Sequence, residues 1–207
     1  MKKLLFITTY KARDFEGNGL IGYYLKKNYN IEVVYTSGYK ILDKIITHKP
    51  VGIVFDHLTW NHKVKLLNDC KALGLKTIYY PTEGYYPDMT SFDYGVGLKF
   101  TDNPKMTKYL LWGSDMMDRI KCLDVFANQL DSFVITGAAR FDYYLNEDLK
   151  KSQEKNDCAR YEYLNLIRKN IEIHNSYSDG KSHKEFTDEL RRLIDATTNN
   201  LGKCVNN

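Results

Sequence analysis

The sequence predicts an α/β fold, built on a single parallel sheet and followed by a helical C-terminal tail. From residue 3 to residue 142, short apolar runs rich in β-branched and aromatic residues alternate with longer stretches whose apolar residues recur every three or four positions. This alternation is typical of parallel βαβ units. Because crossovers between parallel strands are right-handed, helices cover both faces of the sheet, and we expect a Rossmann-like domain.

Six strands are expected, each a short apolar run that ends at polar or turn residues. Their predicted ranges are Lys3–Thr9, Ile31–Thr36, Val51–His57, Leu75–Pro81, Tyr109–Gly113 and Phe133–Gly137. Four longer amphipathic stretches predict helices over Gly19–Asn28, Tyr39–His48, His62–Leu73 and Ser114–Gln129. Residues 85–106 are rich in Gly, Asp, Thr and Tyr, and they predict a long loop with one short extra element.

The third predicted helix carries the clearest internal pattern. Val64, Leu67 and the aliphatic stem of Lys71 recur at helical spacing, so we expect them to share its buried face. Gly74 follows as a typical C-terminal glycine, and Pro50 ends the preceding helix before the third strand.

A change of composition after Leu145 predicts a boundary between a domain over residues 1–145 and a helical tail over residues 146–207. The first tail helix is indicated by Tyr161, Leu164, Ile167 and Ile171 at helical spacing. The second begins with a capping-box spacing from Ser182 to Glu185. Its apolar face is predicted to comprise Phe186, Leu190, Leu193 and Ile194.

Several classes of protein are excluded by composition. A net charge of +4, spread evenly, does not indicate a nucleic-acid-binding protein. The four cysteines lie far apart and form no metal-ligand pattern with the five histidines, so we expect free thiols in the reducing cytoplasm and no metal or cofactor. No run approaches the roughly 18 apolar residues that cross a bilayer. We therefore expect a protein without a transmembrane segment, soluble or at most peripheral to the inner membrane.

The carboxyl ends of the predicted strands nominate a site, because ligands of open parallel sheets bind where the crossover loops converge. The polar residues there include Thr9, Thr36, Ser37, Ser114 and the candidate site residues Asp56, His57, Thr82, Glu83, Arg140 and Asp142. Glu83 and His57 are candidates for a general base, and Arg140 is a candidate cation for anionic substrate groups. Structural alternatives stay open: Asp56 and His57 could only orient the following turn, and Arg140 could pair with Asp142.

Residues Gly17 to Gly22 spell G-x-G-x-x-G, but the context of a dinucleotide fingerprint is missing. Gly17 comes well after the first strand, and the second strand ends without the acidic residue that would hold a ribose. We interpret the segment as a glycine-rich loop that opens a helix. Through backbone N–H groups, Gly17, Asn18 and Gly19 would then contact an anionic part of the substrate.

Several short segments, taken in order and spacing, resemble the N-terminal half of bacterial surface-carbohydrate biosynthesis proteins with a GT-B-like fold. They are Asp56-His57-Leu58-Thr59-Trp60-Asn61, Gly74-Leu75-Lys76-Thr77, Pro81-Thr82-Glu83-Gly84, Leu111-Trp112-Gly113 and Val134 to Asp142. Those proteins are similar in turn to capsule glycosyltransferases and polyol-phosphate transferases. The resemblance covers residues 1–145.

The resemblance implies an acceptor-side domain that binds a carbohydrate acceptor, with Glu83 or His57 as the base and Gly17 to Gly22 lining the cleft. The residues after Asp142 show no βαβ alternation, so we expect no donor-binding domain in this chain and a separate donor-binding subunit instead. Two alternatives remain open. One is a non-catalytic Rossmann-like protein that binds a carbohydrate or a partner, or the product of a truncated gene. The other, a small nucleotide-binding enzyme of flavodoxin-like form, lacks a complete phosphate loop.

Overall fold

The computed structural model of the protein describes residues 1–9, 11–37, 41–82, 88–98, 101, 104–142, 184 and 187–192. Six strands in this part of the chain form one parallel sheet in the order β2-β1-β3-β4-β5-β6. The strands are β1 Lys3–Ile7, β2 Glu32–Thr36, β3 Gly52–Phe55, β4 Lys76–Tyr79, β5 Lys108–Leu111 and β6 Phe133–Ile135. The predicted α/β, Rossmann-like fold class is confirmed, and each strand is shorter than its apolar run.

Within residues 1–142, five helices are described around the sheet, α1 Lys11–Tyr29, α2 Ile41–His48, α3 Asn61–Ala72, α4 Met89–Gly95 and α5 Ser114–Lys121. Two 3-10 segments span Asp124–Ser132 and Ala139–Phe141. Helix α4 is the short element expected within residues 85–106. Gly74 follows α3 with a φ of 71°, the left-handed conformation that a helix-terminating glycine adopts without strain.

The core lies on both faces of the central strands, where apolar side chains are removed from water. Fully buried strand residues include Leu5, Phe6, Ile53, Phe55, Leu110 and Leu111. Leu190, in a helical segment over residues 187–192, belongs to the same core. That segment also contacts the domain through Tyr29, whose hydroxyl donates to Asp188, and through an ion pair of 3.4 Å between Lys108 and Glu189. The predicted boundary at residue 145 stays a prediction.

The glycine-rich segment is not a loop. Residues 17–22 lie inside α1, which begins at Lys11, so the loop interpretation of Gly17, Asn18 and Gly19 is wrong. A Cβ atom on Gly17 would lie 3.0 Å from the backbone of Arg140, and one on Gly22 would overlap the Tyr35 hydroxyl. Two of these glycines therefore permit close packing of a helix, which local sequence pattern cannot distinguish from a ligand-binding loop.

Two further expectations about helices need correction. Ser114–Gln129 is not one helix: α5 ends at Lys121, and the chain continues as the 3-10 segment over Asp124–Ser132. On α3, Lys71 is exposed, whereas Lys63 shares the buried face with Leu67. Lys63 can be buried there because a carboxylate lies at the adjoining strand end, as described below. Of the four predicted residues of the last tail helix, only Leu190 lies within the described residues.

No helix in the described part of the chain is long and apolar enough to cross a membrane.

Candidate functional site

The strand order places a crevice at the carboxyl edge of the sheet between β1 and β3. The chain moves from β1 to β2 on one side and then returns to β3 on the other. Crossover loops diverge at such a reversal and leave room for a ligand. Residues that follow these two strands, Thr9 and Asp56, contact each other directly, since the Thr9 amide donates to Asp56 Oδ2 at 3.0 Å.

Asp56 is the centre of a buried polar network. Its carboxylate is 2% exposed and accepts hydrogen bonds from the amides of Thr9 and His57, each at 3.0 Å. The Lys63 ammonium, which is 0% exposed, donates to Asp56 Oδ1 and, at 3.0 Å, to Thr9 Oγ1. A buried charge is tolerated where an opposite charge and hydrogen bonds replace its hydration. Lys63 and Asp56 satisfy this condition for each other.

His57 joins the same network through both ring nitrogens. Nε2 lies 2.8 Å from the Lys63 ammonium, which can only donate, so Nε2 is the acceptor of that hydrogen bond. Nδ1 lies 2.6 Å from the Thr59 hydroxyl oxygen and 3.4 Å from the Thr59 backbone nitrogen. Trp60 packs edge-on against the imidazole with a centroid separation of 4.8 Å. The ring is held on three sides by protein groups.

Lys63 is the residue of this network that the sequence analysis missed. The signal that could have found it is helical spacing, because Lys63, Leu67 and Cys70 recur at positions i, i+4 and i+7 of α3 and share its buried face. A lysine on an apolar helix face normally extends to solvent. Asp56 overrides that tendency, because its carboxylate lies just after β3 and accepts a hydrogen bond from the Lys63 ammonium.

A second group of residues at the same edge forms a small open pocket with an empty volume of about 230 Å³ that includes open solvent. Helix α1 and the segments that follow β4, β5 and β6 contribute its walls. Its lining residues are Asp14, Gly17, Asn18, Tyr80, Pro81, Thr82, Trp112 and Arg140. Four of the predicted substrate-binding residues, Gly17, Asn18, Thr82 and Arg140, therefore meet in one place.

Arg140 is the cation of this pocket and is only partly buried. One guanidinium nitrogen donates to the Thr82 carbonyl at 3.0 Å, and the group lies over the Trp112 ring at 5.9 Å from its centroid. Trp112 itself is 6% exposed, and its indole N–H donates to the Pro81 carbonyl at 2.8 Å. The tryptophan thus supports the arginine more than it offers a broad sugar-stacking surface.

Asn18 and Tyr80 hold the pocket in shape. The side-chain amide of Asn18 donates to Thr8 Oγ1 at 3.2 Å, and this hydrogen bond links α1 to the end of β1. The Tyr80 hydroxyl oxygen accepts from the Ala139 amide at 2.8 Å. Burial raises the pKa of Tyr80 above its ordinary value, and the hydrogen bond from Ala139 offsets only part of that rise. Tyr80 therefore stays neutral at physiological pH and supports the turn that carries Arg140.

Of the remaining predicted site residues, Asp142 and Gly19 lie within the described part of the chain and Glu83 lies outside it. Asp142 is fully buried at the end of the 3-10 segment Ala139–Phe141, and Gly19 lies beside open space, since a Cβ atom added to it would have no other atom within 4 Å. Glu83, the other candidate base, lies outside the described residues, directly after the pocket residue Thr82.

The described residues include no cluster of three or more His, Cys, Asp or Glu side chains suited to a metal ion. Independence from metal and cofactor stays a prediction.

Comparison with known proteins assigns this chain to no family. No protein-family model matches the chain, and no curated protein matches it. Among solved structures, the chain is similar to a co-structure of S. aureus MnaA with UDP, at 14% identity and a TM-score of 0.49. The match covers 72% of this chain and 47% of that one, so the chain spans about half the length of the protein it resembles.

Proposed function

We propose that the chain is the acceptor-side component of a glycosyltransferase of surface-polysaccharide biosynthesis, which binds a carbohydrate acceptor in the Arg140 pocket. The observation that carries the proposal is the convergence of Asn18, Thr82 and Arg140 in one open pocket at the carboxyl edge of a parallel sheet. The class of reaction comes from the sequence resemblance described above. A separate donor-binding polypeptide would supply the activated sugar.

Arg140 is proposed to recognise an anionic group on the acceptor. A guanidinium carries five N–H donors, and the Thr82 carbonyl uses one nitrogen of the fork. The donors that remain suit the planar oxygens of a phosphate or carboxylate. Support from Trp112 and the Thr82 carbonyl holds the fork in one orientation, which reduces the entropy lost on binding.

Glu83 is proposed as the general base. What supports this role is that Glu83 is the next residue in the sequence after Thr82, which lines the pocket. The Glu83 carboxylate would take the proton of an acceptor hydroxyl while that oxygen bonds to the anomeric carbon of the donor sugar and the nucleotide leaves with the electrons of the broken C–O bond. His57 is proposed to organise the crevice rather than to take the proton, because both of its ring nitrogens have protein partners.

A second candidate function is a non-catalytic domain that binds a carbohydrate or a partner. It is favoured by the burial of Asp56 and Lys63, which are 2% and 0% exposed and satisfy each other rather than a substrate. On this proposal the carboxyl edge recognises a ligand at Arg140 and no group in it transfers a proton.

Complementation of a gene deletion separates the two candidates. Loss of the gene should remove a surface glycan, and wild-type protein should restore it. Glu83→Gln should fail to restore the glycan although the variant accumulates normally, whereas Asp88→Asn, which changes an exposed carboxylate five residues further along the chain, should restore it. Full restoration by Glu83→Gln would contradict the enzymatic proposal and favour the binding domain.

Calorimetry on the purified chain tests the pocket independently of the reaction. We expect monosaccharide phosphates to bind, neutral monosaccharides to bind more weakly, and Arg140→Gln to remove the difference. If nucleotide sugars bind the isolated chain tightly, the donor site lies in this chain and the acceptor-side proposal is wrong.

A further inference from the structure

The opposite edge of the sheet, where the parallel strands begin, is rich in lysine. Lys3, Lys76 and Lys108 are the first residues of β1, β4 and β5. Other lysines come from the segments that lead into strands or from the last turn of α3, and all of these side chains reach solvent at least in part. We call this group the basic edge and define it by Lys2, Lys3, Lys49, Lys71, Lys76, Lys105 and Lys108.

Backbone hydrogen bonds link the starts of β2, β1, β3 and β4 in that order, so Lys3 and Lys76 lie on strands separated only by β3. The Glu32 amide donates to the Lys2 carbonyl at 3.0 Å, the Val51 amide to the Lys3 carbonyl at 2.9 Å, and the Lys76 amide to the Val51 carbonyl at 3.2 Å. Neighbouring strands lie about 4.8 Å apart, so their first residues form a row. The row runs along one side of the molecule, opposite the Arg140 pocket.

Two carboxylates at this edge already form ion pairs with lysines. Glu32 pairs with Lys3 at 3.6 Å, and Glu189 pairs with Lys108 at 3.4 Å. The pKa of Lys71 is lowered, first by loss of hydration and then by the charge of Lys105. An anion placed at the edge would offset this charge.

Two exposed apolar side chains flank the lysines. Ile46, in the last turn of α2, is 73% exposed, and Leu73, at the end of α3, is 61% exposed. Both helices run against the strands and end at the basic edge. Lysines interspersed with exposed aliphatic side chains are typical of surfaces that bind the headgroup region of an anionic bilayer. A nucleic-acid surface would gain nothing from the aliphatic residues.

We propose that the basic edge docks the protein on an anionic lipid bilayer. Lysines contact the headgroups, and Ile46 and Leu73 enter the boundary between headgroups and acyl chains. The Arg140 pocket then faces away from the bilayer, so a substrate reaches it from solution or on a carrier that extends beyond the headgroups. This inference is independent of the proposed function, because it uses the other end of the sheet.

Vesicle co-sedimentation tests the inference on the full chain. We expect binding to phosphatidylcholine vesicles that contain phosphatidylglycerol, little binding to phosphatidylcholine alone, and weakening by salt. The variant Lys71→Gln/Lys105→Gln should bind about 30-fold more weakly, since each lysine near an anionic surface contributes about five-fold. Lys44→Gln/Lys65→Gln is the matched control, because it removes the same charge from α2 and α3 away from the edge and should bind within about two-fold of wild type.

Leu73→Ser distinguishes a bilayer from other polyanions, and its exposure makes an effect on folding small. We expect it to weaken vesicle binding several-fold while thermal unfolding stays unchanged. Equal binding to neutral and anionic vesicles, or equal losses in the two lysine pairs, would overturn the proposal. Unchanged binding of Leu73→Ser together with displacement from vesicles by double-stranded DNA would assign the edge to a nucleic acid and overturn it as well.

Discussion

The two polar groups at the carboxyl edge of the sheet differ in how their charges are satisfied. In the Asp56 network, Lys63 and Asp56 are buried and bond to each other, to Thr9 and to His57. In the pocket, Arg140 is partly exposed and uses part of its fork on the Thr82 carbonyl. Polar residues at strand ends therefore serve two purposes here, and burial decides which.

The difference has an energetic meaning. A buried pair is costly to interrupt because the remaining charge has neither water nor a partner. A partly exposed cation is inexpensive to remove from the folded state, and its donors remain available for a ligand. We therefore expect substitutions in the network to act mainly on stability and substitutions at Arg140 to act mainly on binding.

The largest effect is expected for Lys63→Met. Removal of the ammonium leaves Asp56 buried without its counter-ion, and we expect the free energy of unfolding to fall by about 3–5 kcal/mol in urea titrations. Lys65→Met, two residues along α3 and exposed, should change it by less than about 0.5 kcal/mol. A double variant with Asp56→Asn should recover part of the loss. Equal small effects at Lys63 and Lys65 would show that the network is hydrated.

Gly17→Ala should have the next largest effect. The new methyl group would meet the Arg140 backbone at 3.0 Å, so α1 or the Arg140 turn must move, at a cost of about 1–3 kcal/mol. Gly19→Ala is the matched control in the same helix, because its methyl group meets open space, and it should stabilise the protein by up to about 1 kcal/mol. Urea unfolding measures both. Equal stabilisation by the two alanines would mean that the pocket wall tolerates displacement of α1.

Unfolding at alkaline pH tests whether water is excluded from the Tyr80 hydroxyl in the pocket wall as it is from the Asp56 network. Burial raises the pKa of Tyr80, so above about pH 10 the unfolded chain loses a proton that the folded chain keeps. Below about pH 10 the Tyr80 hydroxyl is protonated in both states, so its contribution to the free energy of unfolding is complete. As the pH rises further, the free energy of unfolding should fall by about 1.4 kcal/mol per pH unit for each such tyrosine. Burial raises the pKa of Tyr109 in the same direction.

Urea unfolding at several alkaline pH values measures this slope. Tyr80→Phe and Tyr109→Phe should each reduce it by one tyrosine's share, and the double variant by two. A slope that Tyr80→Phe leaves unchanged would show that water reaches the Tyr80 hydroxyl through the pocket.

The smallest effect on stability is expected for Arg140→Gln, which loses one hydrogen bond to a carbonyl and should cost about 1 kcal/mol or less. Binding of monosaccharide phosphates in calorimetry should nevertheless fall about 10- to 100-fold, the range of a charge-assisted hydrogen bond. Arg119→Gln, on α5 and paired with Asp115 at 3.8 Å, is the control and should bind normally. A large loss of stability with unchanged binding would place Arg140 with the network instead.

Much of the fold follows from local pattern. Six apolar runs become six parallel strands because each run is long enough to be buried on both faces and is bounded by turn residues. Helix bounds were less accurate. The break after α5 and the early start of α1 depend on where neighbouring elements pack, and glycines inside α1 suggest a loop until the approach of Arg140 and Tyr35 is known.

The candidate site was predicted less completely than the fold. Asp56, His57, Thr82 and Arg140, nominated from strand ends, lie at one edge because all carboxyl ends of a parallel sheet meet there, and their roles stay predictions. Lys63 and Tyr80 were missed, since one lies on a helix face and the other within a strand-like run. Their roles depend on partners distant in the chain, Asp56 in one case and Ala139 in the other.

Local pattern in the chain is sufficient to specify the parallel sheet, the edge at which polar residues collect and the lysines at the other edge, because periodicity and strand ends are local properties. Which polar residues pair depends instead on packing between distant segments. The order β2-β1-β3 brings Thr9 to Asp56, and packing of α3 brings Lys63 to both. Asp56 and Lys63 are buried and bond to each other, whereas Arg140 is partly exposed and has donors available for a ligand. This difference matters because the strength of a charge's interactions depends on the water around it.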